Sequence, residues 1–129
     1  MGIKTENVNT FDQLIGGADP APLQKNLTLL TGQGILKRGS VLGIGTTDGK
    51  ARLVNSSASD GSQTAKYILS EDTDTTDSDV IAPAYQAGMF NVEYLTFGGE
   101  DTIAQHETSL RLEGIYITSE KYFKTPQEG

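Results

Sequence analysis

From Asn26 onward the apolar residues fall in short runs separated by glycines and polar loops, the texture of a β protein. Residues 27–30 (Leu-Thr-Leu-Leu) are followed by a turn, Thr31-Gly32-Gln33-Gly34, then by Ile35-Leu36 and the run 41–46. The sharpest local signal is Asp48-Gly49 between 41–46 and 51–55. This dipeptide suits a two-residue hairpin turn in which both positions take positive φ. In that register Thr46 faces Ala51, Ile44 faces Leu53 and Leu42 faces Asn55. Alternation along each strand then puts Leu42, Ile44 and Leu53 on one buried face. Gly43 and Gly45 lie on the other face, where a bare backbone admits close approach of another backbone or a strong bend.

Further along, 65–70 carries a strand through Tyr67, Ile68 and Leu69, and 71–79 is an acidic loop. Residues 80–85 form a strand that Pro83, lacking an N–H, confines to an edge or a bend. Gly88 allows a turn or bulge before Phe90 and the run 92–97. One helix is expected, over 102–113. Thr102 and Gln105 make a capping box, Glu100 and Asp101 suit the positive N-terminal end, and Gly114 is placed to stop it. Residues 115–118 read as a closing strand, and the chain from Ser119 as a polar tail. The fold class is therefore mainly β with one short helix, in a compact domain.

Residues 1–25 have a different texture. Asn7, Asn9, Asp12, Gly16, Gly17, Asp19, Pro20 and Pro22 interrupt regular structure, while Ile3, Val8, Phe11, Leu14 and Ile15 are scattered without a period. Five apolar residues exceed what a solvated tail requires, yet so short a segment builds no core of its own. It reads as an extended arm that orders on a partner. The division is an arm over 1–25, a β-rich body over 26–119 and a polar tail over 120–129.

Composition narrows the functions. A chain of 129 residues is one domain, able to bury about 65% of its unfolded surface without a disulfide or structural metal. With no cysteine, thiol catalysis and Cys-based metal sites are excluded. The net charge is −7 and no Lys or Arg lies between Lys66 and Arg111, which disfavours nucleic-acid binding. No apolar run is long enough to span a membrane, and residues 1–6 lack the apolar core of a secretory signal, so a cytoplasmic origin is expected.

The candidate chemical motifs fail on inspection. Gly43-Ile44-Gly45-Thr46-Thr47-Asp48 opens like a dinucleotide loop but ends in Asp where a third Gly belongs, and no helix follows. The acidic run from Asp72 has Asp77 and Pro83 where a calcium loop needs its Gly and its bidentate Glu. His106 is the only histidine and reads as a surface or boundary residue. No catalytic, cofactor-binding or metal-binding residue is assigned, and no small-molecule substrate is expected.

Three blocks in order do carry information: residues 36–43 (Leu-Lys-Arg-Gly-Ser-Val-Leu-Gly), 60–64 (Asp-Gly-Ser-Gln-Thr) and 82–91 (Ala-Pro-Ala-Tyr-Gln-Ala-Gly-Met-Phe-Asn). With Gly49-Lys50 and residues 69–74 between them, the set resembles the head decoration proteins of tailed bacteriophages, over roughly residues 27–99. The resemblance implies a β-clip body, a homotrimer, no enzymatic activity, and a place on the outer surface of the virion capsid. The partners it implies are the major capsid protein and a second copy of the chain. It also implies that the arm adds a strand to a capsid-protein sheet, with Ile3, Val8, Phe11, Leu14 and Ile15 as candidate anchors. Two alternatives are a nucleotide hydrolase of the dUTPase type, whose Pro-Arg-Ser-Gly motif is absent here, and a phage surface adhesion module.

Overall fold

The computed structural model describes residues 13–119. Its organising element is a strand of twelve residues, β8 (Val80–Asn91), whose small residues Ala82, Ala84, Ala87 and Gly88 allow close packing on both sides. The first half of β8 pairs antiparallel with β2 (Leu23–Leu29), from Leu29 opposite Val80 to Leu23 opposite Ala87. Its other edge pairs with β6 (Tyr67–Leu69), which pairs with β4 (Val41–Ile44), which pairs with β5 (Ala51–Leu53). A parallel contact between Leu29 and Ala51 returns the path to β2 and closes a small barrel of β8, β2, β5, β4 and β6. Closure leaves little exposed edge.

That last seam is thin, and a side chain completes it. The Gln33 amide donates to the carbonyls of Leu30 (2.8 Å) and Ala51 (3.3 Å), while its oxygen accepts from the Leu53 N–H (2.9 Å). Beside the seam, β3 (Ile35–Leu36) pairs with β7 (Thr73–Asp74), so the acidic loop contributes a short strand.

Two cores lie back to back. Leu29, Leu42, Leu69, Ala82 and Ala84 fill one; Val41, Ile68, Tyr85, Phe90, Leu110 and Ile115 fill the other. The adjacent residues Val41-Leu42, Ile68-Leu69 and Ala84-Tyr85 each send one side chain to each core. These strands therefore read as continuous apolar runs because both their faces are buried.

The structure corrects several expectations. In the β4–β5 hairpin Leu42 faces Leu53 and Ile44 faces Ala51, two residues out of the expected register. Residues 45–50 form the connection, closed by Gly49 N–H to the Gly45 carbonyl (2.9 Å). Gly49 has φ +69, but Asp48 does not take positive φ. Its carboxylate instead accepts from the Lys50 N–H (2.9 Å) and the Arg52 guanidinium (2.6 Å), which favours a wider turn. A slip of two preserves the faces, so Leu42, Ile44 and Leu53 still pack in or against the barrel core. Gly43 meets the expected backbone: a Cβ there would stand 2.6 Å from Ser62 Cα and 2.8 Å from the Thr64 carbonyl oxygen.

Pro83 lies within the closed sheet rather than on an edge strand. Its carbonyl accepts from the Ser70 N–H (3.1 Å), so its nitrogen faces the same way, just beyond the last β6–β8 pair at Ala84, where no ladder donor is needed. Gly88 (φ +143) does not turn the chain; β8 runs through it, and its missing Cβ leaves room for the Phe90 ring. The expected helix is divided. The Thr102–Gln105 capping box forms, but it caps a 3-10 turn, Ile103–Gln105, and α1 (Glu107–Glu113) starts after a break at His106. Gly114 (φ +96) ends α1, as anticipated. Then β9 (Ile115–Thr118) follows in the place expected for the closing strand.

Candidate functional site

The second half of β8 belongs to a different, open sheet. β1 (Ile15–Gly17) lies antiparallel on one side, with Ile15 opposite Phe90 and Gly17 opposite Met89. β9 lies parallel on the other, from Gly88 opposite Ile115 to Asn91 opposite Thr118. Neither outer strand pairs beyond β8 within the described residues, so each presents an edge. Parallel pairing of β8 with β9 requires a crossover, which the 3-10 turns and α1 supply, with Leu110 buried against the second core.

Where β1 enters, the chain is held in three ways. Leu14 is buried in the core beside Val41 and Phe90. Its carbonyl accepts from the Asn91 N–H (2.8 Å), and the Asn91 side-chain amide donates to the Gln13 carbonyl. Gly16 and Gly17 sit at a register shift; a Cβ on Gly16 would be 2.7 Å from Thr118 Cγ2, and one on Gly17 3.2 Å from Met89 Sδ. Of the five candidate anchor residues, Leu14 and Ile15 are thus brought together on this pole, with Leu14 buried and Ile15 half-buried. Ile3, Val8 and Phe11 lie outside the described residues. Both β1 and the first residues of β2 fall in the stretch read as an arm, and both pair with β8.

Sequence reading has Asn91 as the last residue of the 82–91 block but gives it no structural role. An Asn at the end of a strand signals only a turn; the carbonyl it meets comes from residue 13, and nothing local announces so distant a partner.

The polar residues that might do chemistry are occupied in holding loops together. His106 is 1% exposed, not a surface residue. Its Nε2 lies 2.7 Å from Asp101 Oδ2, and its ring stacks on Phe97 at 5.6 Å between centroids. Asp101 also accepts from the Ser56 N–H and hydroxyl (both 2.6 Å), and the Ser56 hydroxyl, then His106, hold its carboxyl below the usual range. The carboxylate stands between hydroxyl and imidazole, the wrong order for activating a nucleophile, which needs the base beside the serine. Asp101 was expected to serve the helix end; here it ties the 55–57 loop to the break before α1.

Several acidic residues are likewise engaged in pairs and turns. Asp79 meets Lys50 (2.6 Å), Asp72 meets Lys37 (3.6 Å), and Asp74 accepts from the Thr76 hydroxyl (2.6 Å). Arg52 joins Asp48 (2.6 Å) to Asp60 (3.0 Å). The Ser62 hydroxyl and N–H, with Arg52, lower the Asp60 carboxyl to about 2. Among the described residues no group of three or more His or acidic side chains converges as a metal site.

The described residues thus form a closed barrel carrying an open-edged sheet, and the charged groups named above hold loops together. Comparison with known proteins gives this a class, a structural protein of the phage head. The chain belongs to the family of the bacteriophage lambda head decoration protein D, whose family model matches residues 3–112. No curated protein matches the chain. The family is one of structural capsid proteins and not a known enzyme family, and it implies binding to the phage capsid and a location on the virion.

Proposed function

We propose that this protein is a homotrimeric cementing protein with a β-clip body. It binds the major capsid protein on the outer surface of the expanded head, at three-fold and quasi-three-fold positions. There it holds the shell against the outward pressure of packaged DNA. Decoration takes place on heads assembled in the host cytoplasm. The observation that carries this reading is the family match, which extends ahead of β1 to residue 3 and so takes in Ile3, Val8 and Phe11.

Residues before Gln13 act as the arm. Twelve extended residues reach about 40 Å, enough to leave the body and lie along a neighbouring subunit. Strand addition supplies main-chain hydrogen bonds, and Ile3, Val8 and Phe11 supply apolar anchors. Leu14 and Ile15 are the arm's attachment: the buried Leu14 side chain and the Asn91 hydrogen bonds transmit tension from the arm into the core. Ordering each residue costs about 1–2 kcal/mol, so one arm binds modestly. Three arms on one trimer bind with avidity, which makes trimer formation part of the mechanism.

The test mixes purified protein with undecorated expanded shells and counts bound copies by cryo-electron microscopy, for the full chain and for a chain starting at Gln13. The cut falls before Leu14 so that the core stays filled. Full-length protein should occupy the three-fold positions, while the shortened chain should remain folded and leave them largely empty. Normal coating by the shortened chain would remove the arm from the mechanism.

A further inference from the structure

The sheet shared by β1, β8 and β9 has two outer edges, and they are not equivalent. β1 is three residues long and carries Gly16 and Gly17 at a register shift, so its edge is short and irregular. β9 runs Ile115-Tyr116-Ile117-Thr118 in unbroken register beside β8, without a charge, a proline or a bulge. Those three devices are what ordinarily keep an exposed edge from pairing. β9 has none of them.

The ladder shows which groups this edge offers. The Gly88 N–H donates to the Gly114 carbonyl (3.2 Å), and in a parallel pair the residues that bond to the neighbour alternate along the strand. Tyr116 and Thr118 therefore turn their main-chain groups toward β8, while Ile115 and Ile117 turn theirs away from it. No strand lies beyond them among the described residues. The side chains of Ile115 and Ile117 lie in and against the second core, and Tyr116, 40% exposed, stands on the other face of the sheet with Met89. An added strand would meet an apolar neighbour on each face, so the edge fits an extended, proline-free segment with apolar residues on both sides.

Position and symmetry select the protein that supplies the segment. The edge lies at the root of the arm: strands two places apart in a sheet are about 10 Å apart, and a Cβ on Gly16 would be 2.7 Å from Thr118 Cγ2. A capsid subunit that holds the arm from Gln13 backward is thereby brought to β9. A second copy of this chain fits less well. Two β9 edges would pair about a two-fold axis and close a dimer, which does not suit a three-fold position.

We infer that the outer edge of β9 takes an extended segment of the major capsid protein as an added strand, bonded through the main chain of Ile115 and Ile117 and packed against Tyr116. This rests on the capsid-decoration reading above, and it gives the body a binding site of its own beside the arm.

The test follows amide exchange of the full chain, free and on expanded shells, residue by residue through β9. Exchange at Ile117 should slow about tenfold or more on coated shells, and change less at Tyr116 and Thr118, whose N–H groups already face β8. Tyr116→Lys puts a charge beside the added strand at a position already open to solvent, and should raise half-saturation of the shells about tenfold with thermal unfolding unchanged. Leu112→Lys, at a site 82% exposed on α1 rather than on β9, should coat as the unaltered chain does. Unchanged exchange at Ile117 on coated shells, or undiminished coating by the Tyr116→Lys chain, would overturn the inference, as would a cryo-electron microscopy map with a second copy seated on β9. If the unaltered chain coats no shells, the decoration reading falls and this inference with it.

Discussion

The two halves of β8 follow one strand into opposite kinds of sheet. Over Val80–Tyr85 it is walled in by β2 and β6 as part of a closed barrel, and core lies on both faces of the wall it shares with β4 and β6. Over Gly88–Asn91 it is flanked by β1 and β9, each an open edge among the described residues, and the first and last described residues lie at that end. The difference separates two tasks. The closed half has its strand edges paired; in the open half β1 and β9 pair with β8 alone among the described residues, which leaves an outer edge of the kind that strand addition uses.

The sharpest way to break that contrast is at glycine. In the closed half, Gly43→Val would drive a side chain into the backbone of Ser62 and Thr64. It should cost about 3 kcal/mol or more, read as a fall in the denaturation midpoint. In the open half, Gly17→Ala meets only the flexible Met89 side chain and should cost under about 1 kcal/mol. Equal losses would erase the distinction.

A smaller effect is expected at the seam. Gln33→Leu would leave the Leu53 N–H without its acceptor and the Ala51 carbonyl short of a donor, so a loss of about 1–3 kcal/mol should appear in equilibrium unfolding. Hydrogen exchange should quicken at Leu53 before it quickens at Phe90.

The mildest lever is acid. Asp48, Asp60, Asp74, Asp79 and Asp101 are all held below their ordinary value of 3.8, Asp60 at about 2. A carboxyl lowered by folding stabilises the native state above its unfolded pKa and loses that contribution as pH falls toward its folded one. The melting temperature should therefore hold steady down to about pH 5 and decline between about pH 4 and 2. Asp60→Asn should flatten that decline; an unaltered profile would show that the Ser62 and Arg52 contacts to Asp60 do not matter for stability.

What could be read from the sequence follows the range of the interactions involved. The strands at Ile35-Leu36, 41–46, 51–55 and 115–118 were legible because their apolar runs and flanking glycines are local signals. The capping box at Thr102 and the stop at Gly114 were legible for the same reason. The hairpin register was not, because Asp48 bonds the Lys50 N–H and the Arg52 guanidinium with its carboxylate instead of taking positive φ in a two-residue turn. Burial of His106 was not legible, because it depends on Asp101 and Phe97 meeting it in space; the break there leaves the Thr102 capping box on a 3-10 turn and only the stop at Gly114 on the helix. At the candidate site, Leu14 and Ile15 stood out as apolar residues in a polar stretch. Asn91, which fixes where the arm leaves, has partners 77 and 78 positions away along the chain.

The account turns on which end of the molecule meets the shell. Amide hydrogen exchange of the protein free and bound to expanded shells measures this directly. Protection should rise on binding across residues 1–17 and around Ile115–Thr118, while the barrel connections at 45–50 and 56–64 stay as they are in the free protein. Protection gained at those barrel connections, with the β1 and β9 end unchanged, would contradict it.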